Sequence, residues 1–293
     1  MWYNIFGDYM RYRELLKYGN EYMLKNNREE SGALFLLEHA TNKTSPELFA
    51  ALDEEVSNEM IDSYKKYLDM HVKENKPIYY IIGHAPFYGY EFIVNENVLI
   101  PRFETEELVE NVLFEYDKYF KGKSVKVCDV ATGSGCIGIT LKKEQPNMDV
   151  TITDISNEAL LVAKENAEKL GANVRILQGD MLSPVKGEKF DIIVSNPPYI
   201  PEDEDVQKIV LDNEPNIALF GGKDGMKFYN IIMRDARELL NANGIIAFEH
   251  GFDKKEEMRK LASYYFPSSN IISLKDMEGK DRMTIIIVGF ENE

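Results

Sequence analysis

The chain is poor in cysteine and histidine and has no long apolar run, and each scarcity removes a class of function. Its 293 residues hold two cysteines. Cys128, in a strand-like run, and Cys136, beside a glycine turn, form neither a disulfide framework nor a metal-ligand pattern, so both read as reduced core residues. Among the four histidines, His39 and His71 have no ligand partners at useful spacing, and no metal site is expected. No window reaches membrane-spanning length, and residues 1–10 lack the basic start and sustained apolar stretch of a secretory signal. A cytoplasmic location is the expectation. Positive charge is also short: 34 Lys+Arg against 50 Asp+Glu give a formal charge of −16. Duplex binding draws much of its affinity from basic side chains on phosphates, so direct nucleic-acid binding is not expected and a protein partner is favoured.

What is present divides the chain by periodicity. Up to about Asn75 the apolar spacing is helical, clearest where Val56, Met60, Tyr64, Tyr67, Leu68 and His71 fall on one face. Ser45-Pro46 reads as a helix start with Ser45 as N-cap. Residues 1–76 are therefore expected to form a small all-α domain of four or five helices, the aromatic stripe being its core. Between Phe87 and Ile100 the run Phe-Tyr-Gly-Tyr-Glu-Phe-Ile-Val, then Asn95-Glu-Asn97, then Val-Leu-Ile predicts a β-hairpin inside a linker over 77–103.

From 104 to 293 strands and helices alternate. Strands are expected near 125–130, 149–153, 173–178, 190–195, 244–249, 270–275 and 282–290. Helices are expected over roughly 104–119, 135–144, 156–170, 224–242 and 252–264. This alternation predicts an α/β, Rossmann-like, doubly wound sheet of seven strands, with its ligand at the carboxyl ends. The connection from Ile200 to Lys223 is long and carries the acidic run Pro201-Glu-Asp-Glu-Asp205. It reads either as a lid or partner surface or as a solvated face.

Two segments carry chemistry. Asn196-Pro197-Pro198-Tyr199 follows the apolar run Phe190–Ser195. Consecutive prolines also serve simply to stop a strand. They lack N–H donors and fix φ, however, so the carbonyls of Asn196 and Pro197 can be held outward as acceptors. The Asn196 side chain adds an acceptor and Tyr199 a flat face, together a pocket for a planar NH2 group. Upstream, Asp129-Val-Ala-Thr132-Gly133-Ser-Gly135-Cys-Ile-Gly138 takes a strand into a glycine-rich turn where a ligand can approach backbone. Gly133-x-Gly135-x-x-Gly138 alone fits a dinucleotide fingerprint, with Asp154 at the distance of a ribose contact.

Asp129 before the glycines, Gly179-Asp180-Met181 after the third strand and Asn196-Pro-Pro-Tyr after the fourth occur in an order that resembles the class I methyltransferases. The resemblance implies S-adenosylmethionine as methyl donor, with S-adenosylhomocysteine as product. Gly133 and Gly135 would approach its methionine part, Asp154 both ribose hydroxyls and Asp180 the adenine amino group. Asp129, Thr132, Ile155, Met181 and Asn196 complete the expected cofactor site.

A narrower resemblance rests on Gly83-His84 with Phe87-Tyr-Gly89, Ile100-Pro101-Arg102-Phe103-Glu104-Thr105-Glu106 and Glu214-Pro215 with Ala218-Leu-Phe-Gly221-Gly-Lys-Asp224-Gly. With Asn196-Pro-Pro-Tyr, Glu249-His-Gly251 and Gly279-Lys-Asp281-Arg282, these are similar to the release-factor glutamine methyltransferases of the PrmC/HemK type. The resemblance spans nearly the whole chain and is weakest before Lys76. It departs at Ala131, where the family usually has glycine, and at Phe103, where it usually has proline. It implies methylation of the side-chain amide nitrogen of glutamine in the Gly-Gly-Gln segment of peptide release factors, with the helical domain recognising that protein. Asn196 and Pro197 would hold the amide, with Pro198 and Tyr199 packing around it. Arg102 and Glu104 are either substrate contacts or linker ion pairs. The rivals are a glutamine methyltransferase acting on a ribosomal protein, an adenine-N6 methyltransferase, which should show a basic surface, and a noncatalytic translation-factor binding module.

Overall fold

The computed structural model describes residues 10–290, so the reading of residues 1–9 as lacking a signal lies outside the described residues. The chain divides into two compact units, Met1–Gly83 with Lys208–Asn213, and His84–Gln207 with Glu214–Glu293.

The first unit contains α1 (Tyr12–Lys25), α2 (Ser31–Thr41), α3 (Ser45–Ala50), α4 (Asn58–Val72) and α5 (Ile78–Ile82). On α4 the buried residues Ile61, Tyr64, Leu68 and His71 recur at three- and four-residue steps, which places them on one face. Tyr64 is fully buried and its hydroxyl donates to the Ala33 carbonyl at 3.0 Å. Gly19 makes room for it, since a Cβ there would sit 1.8 Å from the Tyr64 oxygen. Two expectations need correction. Val56 precedes α4, whose N-cap is Ser57. Thr44, not Ser45, caps α3: its backbone is extended and its amide donates to Glu47 at 2.9 Å in a reciprocal capping box, which leaves Pro46 in the first turn. The unit runs past residue 76 because α5 packs on α2 and α4 before Gly83 ends it in the left-handed region.

The second unit opens with β1 (His84–Phe87) and β2 (Tyr90–Ile93), antiparallel partners. The hairpin reverses at Tyr88 and Gly89, both with positive φ, and not at Asn95–Asn97 as expected. Two left-handed residues match the twist of a two-residue hairpin, whereas Asn95 Oδ1 accepts from the Asn97 amide and makes a local side-chain turn.

After α6 (Phe103–Phe120) come β3 (Val125–Val130), α7 (Cys136–Glu144), β4 (Met148–Asp154), α8 (Asn157–Leu170), β5 (Arg175–Gln178) and β6 (Phe190–Ser195). The short helix α9 (Lys208–Asn213) belongs to the helical unit, where Asn213 Nδ2 donates to the Asn75 carbonyl at 2.8 Å. Then follow α10 (Lys227–Leu239), β7 (Leu240–Glu249), α11 (Lys255–Tyr265), β8 (Asn270–Lys275) and β9 (Asp281–Val288). Among the described residues these form a seven-stranded sheet ordered β5-β4-β3-β6-β7-β9-β8, parallel through β7 with β9 antiparallel. Strands such as Phe190-Asp-Ile-Ile-Val-Ser195 are apolar on both faces because helices cover both. Leu108, Val112, Ile139 and Ala163 of α6 to α8 lie in one core cluster. Tyr229, Ile232, Met233 and Met258 of α10 and α11 lie in the other. Helix α10 stops three residues earlier than expected: Leu240 is already extended and pairs with Phe190 across a bulge, beside Asn241, whose amide donates to Asp191.

The chain runs from β3 outward to β5 and then returns to β6 on the other side of β3. This reversal leaves a crevice outside the carboxyl ends of β3 and β6, the place where open α/β sheets bind ligands.

Candidate active site

Three residues of the turn after β3, Ala131, Gly133 and Gly135, have positive φ. Asp129 holds that turn from below: its Oδ2 accepts from the Thr132 hydroxyl and, at 2.9 Å, from the Gly138 amide. Burial pushes its carboxyl up to about 7 against those two donors. Its Oδ1 has no hydrogen-bond partner. Gly138 is a packing glycine, because a Cβ would stand 2.5 Å from Ile152. At the end of β4, Asp154 accepts from the Gly133 amide through Oδ2 and from the Ser156 amide through Oδ1, both at 2.9 Å. Its carboxyl is also raised by burial, against its backbone donors.

Thr132, Gly133, Asp154, Ile155, Asp180, Met181, Asn196 and Pro198 line one cavity of about 300 Å³, and Arg102 and Thr105 join its wall. Asp129, Gly135, Glu104, Pro197 and Tyr199 are not in that wall. Asp129 shapes the turn from beneath, and Gly135 packs against Ile139 and Ala163. Arg102 is tied down, with its guanidinium 2.5 Å from the Glu214 carboxylate, whose other oxygen accepts from the Ile100 amide. Glu214 is buried, so this pair fixes the approach to α6.

Asn196 stands one residue beyond β6. Its Nδ2 donates to Thr105 Oγ1 at 3.1 Å, and Thr105 Oγ1 donates to Glu249 Oε2 at 2.6 Å. The Tyr199 phenol is pushed well above its ordinary range, chiefly by burial and then by the charge on Glu249. The backbone beside it is clamped by the glycines of the long connection. A Cβ on Gly221 would lie 2.5 Å from the Pro198 carbonyl oxygen, and one on Gly225 2.2 Å from that of Tyr199. Ile200 and Gly221 complete the clamp, the Gly221 amide donating to the Ile200 carbonyl at 2.9 Å. The connection thus braces the Asn-Pro-Pro-Tyr turn through its glycines.

Thr105 and Glu249 stand inside the motifs Ile100–Glu106 and Glu249-His-Gly251, which by themselves assign them no role. The signal was there, in a hydroxyl in the first turn of a helix and an acid at the end of a strand. Their meeting across 144 residues needed the fold. The neighbouring His250 is fully buried, with Nε2 3.0 Å from the Thr284 hydroxyl and a pKa lowered first by burial, so it is a neutral structural group.

Comparison with known proteins agrees with this geometry. Residues 14–83 match the PrmC N-terminal domain, and residues 107–214 match the methyltransferase small domain. A methyltransferase of Pyrococcus furiosus superposes with a TM-score of 0.51 at 21% identity, covering 69% of this chain and 90% of that one, a likeness that shows the fold. The release factor glutamine methyltransferase of Bacillus subtilis (strain 168) is 44% identical over 281 residues, covering 94% of this chain and 97% of that protein. That of Bacillus anthracis is 41% identical over 278 residues, covering 94% and 98%. Identity at this level, sustained across both units and nearly the full length of each relative, means that the chain belongs to the release factor glutamine methyltransferase family.

Proposed function

We propose that the chain methylates the side-chain amide nitrogen of the glutamine in the Gly-Gly-Gln segment of peptide chain release factors, using S-adenosylmethionine. Family membership supports the donor and the substrate. The observation that carries the site assignment is the orientation of Asn196, whose NH2 group is spent on Thr105. Its Oδ1 is thereby left as an acceptor at the cavity wall.

The cavity suits the donor. Asp154 and Asp180 offer acceptors for hydroxyl and amino groups, and Ile155 and Met181 offer apolar surface. A Cβ on Gly133 would meet nothing within 4 Å, so backbone there is open to close approach. When bound, the donor supplies a sulfonium methyl group that is already activated. The protein's share is placement and charge. An amide nitrogen is a poor nucleophile because its lone pair is delocalised. Acceptors at Asn196 Oδ1 and the Pro197 carbonyl hold the NH2 group in line and stabilise the positive charge that grows on nitrogen as it attacks. Proton loss follows late, to water. Tyr199 backs the amide pocket from behind the cavity wall, and Arg102, held by Glu214, serves structure before substrate.

The helical unit recognises the body of the release factor in this reading, and the enzyme works in the cytoplasm, where release factors act. Among the described residues no helix is long and apolar enough to cross a membrane. With 50 acidic against 34 basic residues, direct nucleic-acid binding plays no part.

The test is incubation with labelled S-adenosylmethionine and, separately, purified release factor, ribosomal proteins and adenine-containing DNA, followed by peptide mass spectrometry. Label on the Gly-Gly-Gln glutamine is the expected result. Label confined to a ribosomal protein or to adenine would overturn the substrate assignment.

A further inference from the structure

Glu249 lies outside the cavity wall, and its position is costly. It is 2% exposed, and the nearby cation Arg282 makes its own hydrogen bond with Asp276, at 3.3 Å. A buried carboxylate without a dedicated counter-ion is unfavourable unless something is gained from it. The gain is legible in the hydrogen-bond chain that starts from it. A carboxylate only accepts, so the one hydroxyl proton of Thr105 goes to Glu249 Oε2. Thr105 Oγ1 then has only lone pairs to offer Asn196, and the end of the amide that fits is Nδ2. Asn196 Oδ1 is left facing the other way.

We propose that Glu249 is a positioning residue that, through the Thr105 hydroxyl, sets which end of the Asn196 amide is presented to the substrate. The proposal rests on the assignment of Asn196 as acceptor for the substrate NH2 group. The polarity runs in one direction. With Glu249 ionised, Asn196 presents a carbonyl oxygen, which attracts an NH2 group. With Glu249 protonated, the acid can donate to Thr105 and the hydroxyl can turn to donate to Asn196. The favoured amide orientation is then reversed and a donor faces a donor.

The groups around Glu249 place this switch in an accessible range. Thr105 and Glu104 approach from α6, Asn196 and Tyr199 from the turn after β6, Arg282 from β9 and Cys136 from the start of α7, while the Tyr229 hydroxyl from α10 donates to the Glu249 backbone carbonyl at 2.8 Å. Burial dominates and raises the carboxyl to about 7, Glu104 adds to the rise, and Thr105, Arg282 and Asn196 oppose it.

The experiment compares full-length wild type with Glu249→Gln, Thr105→Val, Thr105→Ser and Asn196→Ala in single-turnover methylation of intact release factor from pH 5.5 to 9. Circular dichroism and S-adenosylmethionine affinity serve as checks on folding. Glu249→Gln keeps the shape but brings a donor, and Thr105→Val removes the hydroxyl. Each should lower the rate roughly tenfold to a hundredfold, the scale of a misplaced reacting group, with substrate KM near normal. Thr105→Ser should recover most of the rate. Wild type should lose rate with unit slope as pH falls below about 7, and Glu249→Gln should lack that acid limb. Normal rates in both Glu249→Gln and Thr105→Val beside an impaired Asn196→Ala would sink the relay and leave the acceptor assignment standing. A near-normal Asn196→Ala would overturn both. If Glu249→Gln fails to fold, Thr105→Val decides alone, since an unaltered rate and acid limb in that variant overturns the relay.

Discussion

The Asp154 carboxylate lies across the turn that follows β3, its Oδ2 2.9 Å from the Gly133 amide nitrogen. The acid expected to meet a ribose therefore also fastens the glycine turn against the end of β4, and one residue ties two walls of the cavity together.

Asp154→Ala should weaken S-adenosylmethionine binding by roughly tenfold to a hundredfold, since charged hydrogen bonds contribute about 1.5–3 kcal/mol. Asp154→Asn keeps an acceptor for Gly133 but loses the charge, and should fall between wild type and Asp154→Ala. Titration calorimetry reads both. An unchanged affinity in Asp154→Ala removes this residue from the cofactor site.

Ala131 departs from the glycine that the family resemblance implies, and its φ of 58° puts it in the left-handed region, which is strained for a residue with a Cβ. Ala131→Gly should raise unfolding stability by about 1 kcal/mol, the strain relieved less the added freedom of the unfolded chain. The denaturation midpoint in urea checks this, and a destabilised variant would contradict it. Phe103 needs no such compensation. It occupies the first position of α6, where proline is favoured because that N–H has no helical partner, and any residue is tolerated there.

Asp129 makes stability depend on pH in an unusual direction for an acid. Its folded pKa of about 7 lies above the unfolded value of about 4, so the folded state binds more protons between those values. Its contribution is complete below about pH 4 and declines as pH rises through about 7. Glu249 acts in the same sense. Asp129→Asn removes one of the two, and its stability relative to wild type should increase between pH 5 and pH 8. Urea unfolding at both values is the measurement. A difference that stays constant with pH would show that Asp129 does not titrate in this interval.

A fragment beginning at His84 tests the helical unit, which has its own core. The fragment should still bind S-adenosylmethionine, because the cavity residues all follow it in sequence. It should lose kcat/KM for intact release factor far more than for a Gly-Gly-Gln peptide, since only the large substrate can use remote contacts. Equal losses for both, with cofactor affinity kept, would reassign the unit to support of the fold.

The sheet was legible because its signals are local. The buried run at Phe190–Ser195, the glycines after β3 and the alternation of strand and helix each reflect neighbours within one turn or one strand. The α4 stripe was legible for the same reason. Boundaries failed where two local signals competed, as at Thr44 against Ser45 and at Tyr88-Gly89 against Asn95–Asn97, because backbone conformation, an extended ψ at Thr44 and positive φ at Tyr88 and Gly89, decides between them and composition does not show it.

By itself the sequence determined the fold class and the family, since these follow from periodicity and from motifs in a given order, and it named several residues that line the cavity, among them Gly133, Asp154, Asp180 and Asn196. Only the tertiary structure decided which partner holds each of them. Arg102 is claimed by Glu214, 112 positions away, and Asp129, expected in the cofactor site, is buried beneath the glycine turn and outside the cavity wall. Asn196 is oriented by Thr105, 91 positions away, which is in turn oriented by Glu249, 144 positions away. A hydrogen bond has a direction, and that direction is set by the partner. When the partner lies on another element of the fold, no local pattern in the chain records it.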